Sequence, residues 1–484
     1  MLEKYLKFIK GGKADEAQAE AGEPPAPATG PSQSGPLPLL DPLARAEREV
    51  VDTAAIGAGD VVASVLDVQT SGESSSLDAL RRKIIGRQPV LDRSQRIIGY
   101  ELLLRSKAQP TNRRPDAALR RMQDEALIRC LAELDERLFE DKIAFAAVSS
   151  DMLVDPLLLK LPNKGMILAV SPDDAKADEF LLRCRALRSL GYRIALDDCH
   201  PELIPAPLLG LAAFVRVDIL KFDAIELEQI AARFVDNPGP LLVAMNVATE
   251  EDFDACRKIG FQCFEGNYFT GLRPSRPPRI DNDRIRVMEL LDMVRSQTEI
   301  SRLEEVFKRD AVLSYKLLRY SNAPVNGFPH KIRSIAHALV IFGYDQLYRW
   351  LTLLLFTSGT LDARSRALMQ NALVRARMTE LLGYDRLPPA EREGLFIVGI
   401  FSLLDALLNV PMEQALERLK LSDQVVAALA RREGVYAPFL GLAVACEEAD
   451  EDAIVRFADA CGLDANEVNI AQVKALIWAE EIDS

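Results

Sequence analysis

The spacing of apolar residues changes along the chain and divides it into three regions. Between residues 83 and 278, short apolar runs rich in β-branched residues alternate with longer segments of helical spacing. This alternation predicts βα units and a parallel sheet, and about eight strands in roughly 190 residues fit a compact (β/α)8 TIM-like barrel. A doubly wound open sheet is the alternative. The predicted strands are Ile84–Leu91, Arg96–Arg105, Ile143–Val148, Met166–Val170, Arg193–Asp197, Phe214–Asp218, Leu241–Asn246 and Cys263–Phe269.

The regions on either side of the predicted barrel have different patterns. From residue 279 to 484 the strand pattern stops, and apolar residues recur at i, i+3 and i+4, which predicts an all-α helical bundle. Before residue 83, small, acidic and proline residues dominate, and no aromatic residue lies between Phe8 and Tyr100. Such a segment buries too little apolar surface to offset its ordering entropy, so we predict a disordered tail over residues 1–82.

The beginning of that tail has a short amphipathic pattern. Leu2, Tyr5, Leu6 and Ile9 fall on one helical face, and three lysines lie elsewhere. The pattern is consistent with a weak membrane or partner contact, and a frayed terminal turn is the alternative.

The composition excludes several functional classes. The net charge of −13 argues against nucleic-acid binding, which needs a basic surface. Seven cysteines without a C-x-x-C pair favour a reduced cytoplasm over a disulfide framework or a zinc site. No apolar stretch reaches the roughly 18–20 residues that span a bilayer. We therefore expect a cytoplasmic protein without a transmembrane segment.

Acidic residues lie at or near the ends of several predicted strands, where barrels carry their chemistry. Glu101 stands in Gly99–Arg105, and Asp197 and Asp198 follow Ile194–Leu196. A metal-dependent phosphodiesterase needs such oxygen ligands, because one or two Mg²⁺ or Mn²⁺ ions must neutralise phosphate charge and acidify a water.

At these residues the chain resembles the EAL family of cyclic di-GMP phosphodiesterases, over residues 84–275. The matching stretches are Arg87–Val90, Gly99–Arg105 and Ala195–Asp198, with a looser match at Glu265-Gly266, Tyr268, Phe269 and Pro274. The resemblance implies a ligand-binding site. Its residues here are Gln88, Glu101, Leu103, Arg105, Asp197, Asp198 and Glu265.

The departures from the family pattern remove most of the metal ligands. The family has an asparagine ligand, a glutamate ligand and two further glutamates where this chain has Ala147, Ala169, Met245 and Ala248. The family's catalytic lysine aligns with Arg216, and Lys221 is the less favoured match. We therefore predict no catalytic residue and no cofactor. Glu101, Asp197 and Asp198 are remnants that could hold a hydrated Mg²⁺ weakly, and Mg²⁺ or Mn²⁺ is needed only if residual phosphodiesterase activity exists.

The helical half resembles an HDOD domain, an all-α relative of the HD phosphohydrolases. The matching stretches are Arg309–Leu313, Leu317–Asn322, Ile335–Leu339 and Phe342-Gly343. HD enzymes bind metal through adjacent His and Asp, whereas here Ser402-Leu403 follows Gly399–Phe401. Neither residue can replace those ligands.

Both resemblances predict a bacterial pseudo-enzyme with two degenerate metal sites. Its expected function is a non-catalytic signal-transduction scaffold that binds regulatory proteins through the HDOD domain. The alternatives are a cyclic di-GMP phosphodiesterase with altered ligands and a sensor that binds cyclic di-GMP without hydrolysis. The expected domains are a tail at 1–82, a degenerate EAL-like barrel at 83–278 and the HDOD domain at 279–484.

Overall fold

The computed structural model describes residues 84–104, 117–132, 142–171, 177–197, 204–235, 239–273, 278, 280–321, 332, 334–357, 362–417 and 419–483. The predicted tail, Arg105, Asp198 and Pro274 lie outside these residues. Contacts divide the described chain into two units. One comprises residues 296–347, and the other comprises residues 84–295 with 348–483. None of the described helices is both long and apolar enough to cross a membrane.

The larger unit contains a closed eight-stranded barrel whose strands follow one another in sequence order. All eight predicted strands are present. They are β1 (Gly86–Asp92), β2 (Ile97–Leu103), β3 (Ile143–Ala147), β4 (Met166–Val170), β5 (Arg193–Leu196), β6 (Phe214–Asp218), β7 (Leu241–Met245) and β8 (Cys263–Glu265).

The first strand runs opposite to the other seven. β1 is antiparallel to both β2 and β8, and every other neighbouring pair is parallel. The turn between β1 and β2 is too short for a parallel crossover, which needs a dozen or more residues. Asp92 fixes this turn, because its Oδ1 accepts hydrogen bonds from the amides of Ser94 and Arg96. The start of β1 therefore lies beside the carboxyl end of β2, where Gly86 pairs with Leu103.

The last strand is shorter than the sequence predicts. It was expected to reach Phe269, but β8 ends at Glu265. Gly266 follows with φ of 144°, and a Cβ there would lie 2.1 Å from the carbonyl oxygen of Val247. Only glycine fits such a conformation and such a close approach, so the strand ends here. A 3-10 turn follows at Tyr268–Thr270.

Side chains from most of the strands fill the barrel. Val90, Phe145, Ile167, Phe214 and Val243 belong to one buried apolar cluster. The helices of this part are α1 (Ala117–Ala132), α2 (Ala177–Ser189), α3 (Ala206–Leu209), α4 (Ala224–Val235) and α5 (Glu250–Ile259), with 3-10 turns at Ser150–Val154, Pro156–Lys160 and Ile219–Lys221.

The rest of the described chain is helical, as the sequence predicts. One long helix, α9, contains a kink at Gly343, where φ is 66° and ψ is −179°. A π-helical turn at Ala427–Arg431 follows α14. The helices are α6 (Asn282–Arg295), α7 (Ile300–Lys308), α8 (Ala311–Ser321), α9 (Ile335–Thr357), α10 (Ala363–Gly383), α11 (Pro389–Phe401), α12 (Leu404–Leu408), α13 (Met412–Leu416), α14 (Asp423–Val426), α15 (Ala437–Glu448), α16 (Glu451–Cys461) and α17 (Ala465–Asp483).

Within the larger unit, the C-terminal helices pack directly on the barrel. The buried guanidinium of Arg364 donates to the backbone carbonyls of Phe269, Gly271 and Ala406 at 2.5–3.0 Å. The Asn409 amide bonds both the N–H and the carbonyl of Arg273. Because backbone groups of the barrel end are satisfied by helix side chains, the two parts share one buried boundary.

A second set of contacts joins β1 to α17. Arg87 Nη1 donates to Gln472 Oε1 at 2.7 Å, and Gln472 Nε2 donates to the carbonyl of Ile85 at 3.0 Å. Arg87 is 1% exposed. The amino end of β1 is thus held by the helical region, on the side of the barrel where the other strands end.

Candidate functional site

Four charged side chains meet inside the mouth of the barrel. Glu101 lies on β2, Asp197 follows β5, Arg216 lies on β6 and Glu265 ends β8. Side chains alternate between the inside and the outside of a barrel strand, and these four point inward at the carboxyl ends. The structure therefore brings together three of the predicted ligand-binding acids around one arginine.

The arginine is the centre of the cluster. Arg216 Nη2 donates to Glu101 Oε1 at 2.5 Å and to Glu265 Oε2 at 2.8 Å, and Nη1 donates to Asp197 Oδ2 at 3.1 Å. The side chains of Arg216, Glu101 and Glu265 are at most 1% exposed, and that of Asp197 is 16% exposed. One cation thus bonds three carboxylates, two of them fully out of contact with water.

The protonation of this arginine is fixed by its neighbours. Burial alone would lower the pKa of Arg216, but the charges of Asp197, Glu101 and Glu265 raise its pKa well above the usual value. The guanidinium also stands over the Phe145 ring, 5.2 Å from its centroid, in cation–π geometry. The group is therefore a permanent positive charge inside the barrel.

The positions at which this chain departs from the family's metal ligands carry no side-chain oxygen. Ala147 and Ala169 are register partners at the ends of β3 and β4. Met245 is the register partner of Asp218. The next residue, Asn246, has φ of 61° and donates from Nδ2 to Asp218 Oδ1 at 2.7 Å. Asparagine tolerates this left-handed conformation, and its amide occupies one lone pair of Asp218.

The residues present do not fit a binuclear divalent metal centre. Within the described part of the chain, no three His, Cys, Asp or Glu side chains are arranged to hold a metal ion. The three acids that converge are instead bonded to Arg216. A divalent ion among them would stand beside the fixed positive charge of Arg216.

The other predicted ligand-binding residues have different positions. Gln88 is the register partner of Glu101 across β1 and β2, and Leu103 is buried beside Gly86. Arg105 and Asp198 lie outside the described residues. The sequence analysis identified Arg216 only as the replacement of the family's lysine. It did not predict that Arg216 is the common partner of the acids. The available signal was the placement of one arginine and three acids at strand ends of the same barrel.

A second buried arginine contacts Ser402, one of the two residues that stand where the HD resemblance places metal ligands. Arg375 on α10 donates to both carboxylate oxygens of Glu447, at 2.7 and 2.8 Å, and to Ser402 Oγ at 3.2 Å. Burial acts to raise the pKa of Glu447, but the charge and hydrogen bonds of Arg375 outweigh it and lower that pKa. Leu403 is 3% exposed and packs in the core. The Arg375–Glu447 ion pair thus lies beside Ser402.

Comparison with known proteins finds a domain model in the helical half and relatives that cover most of the chain. The HDOD domain model matches residues 278–411. The cyclic di-GMP phosphodiesterase CdgJ of Vibrio cholerae is 27% identical over 411 residues, covering 84% of this chain and 94% of CdgJ. The uncharacterized protein YuxH of Bacillus subtilis is 25% identical over 410 residues, covering 83% of this chain and 99% of YuxH.

Solved EAL structures align with the barrel part. The PaMucR phosphodiesterase, in complex with c-di-GMP, is 19% identical, with a TM-score of 0.33, over 40% of this chain and 93% of that one. The FimX EAL domain from Pseudomonas aeruginosa, bound to c-di-GMP, is 18% identical, with a TM-score of 0.30, over 41% and 93%. The chain thus contains an HDOD domain at residues 278–411, in the region where the sequence predicts one.

Proposed function

We propose that the chain is a non-catalytic signalling scaffold related to cyclic di-GMP phosphodiesterases, and that it acts through protein–protein interactions. The observation that carries this proposal is the bonding of Arg216 to Glu101, Asp197 and Glu265. The side chains that would gather metal ions in a hydrolase are here engaged by an internal cation.

The electrostatic consequence is large. A divalent ion about 4 Å from a guanidinium is repelled by about 8 kcal/mol at an effective dielectric constant of about 20. Metal binding among these acids would require the Arg216 side chain to move out of the cluster. That side chain is fully buried, so it would need a new position. The alanines at positions 147 and 169 supply no oxygen to offset that cost.

Hydrolysis with altered ligands is the competing function, because the relative CdgJ is named a cyclic di-GMP phosphodiesterase. We would incubate the full chain with cyclic di-GMP and Mg²⁺ or Mn²⁺ and separate linear product by chromatography. The expected result is no product above the level of a Glu101→Ala variant. Product that Glu101→Ala abolishes would contradict the proposal.

Binding without hydrolysis is tested on the same sample. We would titrate the full chain with cyclic di-GMP by calorimetry, with and without Mg²⁺. A scaffold that works only through proteins gives no heat of binding. Saturable binding without product would instead indicate a nucleotide sensor, with the barrel mouth as its site.

The smaller unit offers a surface for regulatory proteins. Val312 and Tyr315, spaced i, i+3 on α8, are 63% and 64% exposed. Exposed neighbouring apolar side chains are typical of interaction sites. Capture of cellular proteins by the full chain should decrease in the variant Val312→Glu/Tyr315→Glu. It should be unchanged in Leu182→Glu, which alters an exposed leucine of the barrel.

A further inference from the structure

A groove of about 440 Å³ lies in the larger unit, between the barrel and α16. This volume falls within the range of about 300–1,000 Å³ that is typical of ligand-binding clefts. The barrel side of the groove is apolar, with Ile84, Leu103 and Leu104, and α16 forms the facing side. Among the residues that the structure describes, none of the Arg216 cluster lines the groove. The groove is therefore a separate site.

The residues of α16 that line the groove form one face of that helix. They recur at i, i+3, i+4, i+7 and i+8, which is the spacing of neighbours on a helix surface. The middle of this face is apolar and the two ends are acidic. Its central valine is 54% exposed, so part of the apolar surface is open to a partner. The five residues are Glu451, Ile454, Val455, Ala458 and Asp459.

The groove is acidic as well as apolar. Within the described chain its charged lining residues are Glu451, Asp459 and Asp464. Asp459 lies in the last turn of α16, where the partial negative charge of the helix end adds to that of the carboxylate. Arg386 reaches the Asp464 end, but its guanidinium is paired with Glu467. The face of α16 therefore complements a cationic partner.

The two end carboxylates set the spacing of the positive charges that would match them. Glu451 and Asp459 are separated by about 12 Å along the helix axis, at a rise of about 1.5 Å per residue. Lysines at i and i+7 of another helix are separated by about 10 Å and lie on one side of it. The arginine of α16, Arg456, lies off the groove face, where its guanidinium stands over the Phe457 ring. A helix with apolar side chains between such lysines thus complements this face in both charge and polarity.

We propose that the groove binds an amphipathic helix of another protein. The apolar stripe of that helix packs on Ile454 and Val455, and its lysine or arginine side chains pair with Glu451 and Asp459. This arrangement is helix-in-groove recognition, in which apolar anchors at i, i+3, i+4 and i+7 enter a groove. The proposal rests on the scaffold function, to which it adds the chemistry of one partner. Its test uses no nucleotide, so failure of helix binding and detection of hydrolysis are separate results.

Fluorescence anisotropy of the full chain with a labelled peptide tests the proposal. The probe is two tandem copies of Lys-Leu-Ala-Lys-Leu-Ala-Lys with a fluorescein label, which places leucines on one helical face and lysines beside them. The control peptide has glutamate in place of every lysine. We expect saturable binding of one probe per chain and at least ten-fold weaker binding of the control peptide. Affinity for the probe should decrease as salt rises, because salt screens the attraction.

Two pairs of matched variants locate the binding. Val455→Arg puts a cation on the apolar middle of the face, and Leu182→Arg makes the same change of charge at an exposed leucine of α2. Asp459→Lys reverses the charge at one end of the groove, and Glu228→Lys makes the same reversal on the exposed surface of α4. We expect each groove variant to weaken probe binding at least ten-fold and each control variant to change it less than two-fold.

Four results would each overturn the proposal. The first is the absence of saturable binding, and the second is equal affinity for the probe and the control peptide. The third is equal weakening by a groove variant and its control, which would indicate unspecific attraction to an acidic chain. The fourth comes from sedimentation velocity: a parent dimer that Val455→Arg converts to a monomer would show that the groove binds a second copy of this chain.

Discussion

Replacement of Arg216 by methionine tests the central electrostatic argument. The change removes the cation and keeps a long apolar side chain, so Glu101 and Glu265 remain buried without their common partner. Breaking a buried ion pair from one side costs about 3–5 kcal/mol. We expect a loss of that size in the free energy of unfolding at pH 7.

The pH dependence identifies the cause. A buried glutamate without the arginine is expected to be protonated in the folded variant. Because the pKa of glutamate in the unfolded chain is about 4.3, keeping the carboxyl protonated at pH 7 costs about 3.7 kcal/mol. Its folded pKa then lies above the unfolded value, so the variant loses stability as pH rises from about 4.3. The deficit relative to the parent should shrink by about 2–3 kcal/mol between pH 7 and pH 5.

The assay is equilibrium unfolding in urea followed by circular dichroism at both pH values, with midpoints compared at equal slopes. Arg257→Met is the matched control, because Arg257 pairs with Asp254 on the surface, with side-chain exposures of 45% and 36%. This control should lose no more than about 1 kcal/mol. A loss for Arg216→Met that is equal at both pH values, or larger at pH 5, would refute the reasoning.

Three further predictions concern other parts of the larger unit. Glu447→Gln should lower the free energy of unfolding by about 3 kcal/mol at pH 7. Because the pKa of Glu447 is lowered in the folded chain, the difference in free energy of unfolding between variant and parent should close as pH falls below about 4. Urea titrations measure this difference. Gly399→Ala should lower the free energy of unfolding by about 1–3 kcal/mol, because its Cβ would lie 2.3 Å from a backbone Cα of α10. The control Gly271→Ala, at a position with φ of −82° and open space around it, should leave stability unchanged. Equal melting temperatures for the two variants would contradict this packing argument. Burial raises the pKa of the Cys184 thiol to about 12, so at pH 8 iodoacetamide should modify it only after unfolding, as read by mass spectrometry; rapid labelling of the folded chain would show that the thiol is accessible.

The strands were predictable because their signal is local. A run such as Met166–Val170 is apolar, β-branched and bounded by polar residues, and the structure has the strand at those bounds. The direction of β1 was not predictable from alternation, since the same side-chain period serves parallel and antiparallel strands. The helical region was predicted only as a class, and the sequence signal is weak at α15. Apolar residues cover α15 on nearly all sides, so its sequence lacks a polar face that would mark it as a surface helix.

The site was only partly predictable, for a different reason. Glu101 and Asp197 were found from their positions near the ends of predicted strands, and Glu265 was found from the family resemblance. The pairing of Arg216 with Glu101 joins residues 115 positions apart, and its pairing with Glu265 spans 49. Such contacts depend on barrel closure, and no local pattern encodes them.

The shared boundary between the C-terminal helices and the barrel has an evolutionary consequence. Gene fusion commonly joins domains as separable modules, yet here Arg364 and Asn409 complete the backbone hydrogen bonds after β8, and Gln472 holds Arg87 of β1. If this barrel were joined to a different output domain, those groups would lose their hydrogen-bond partners at the newly exposed surface. The two halves are therefore expected to be inherited as one piece, with substitutions on one side of the boundary compensated on the other.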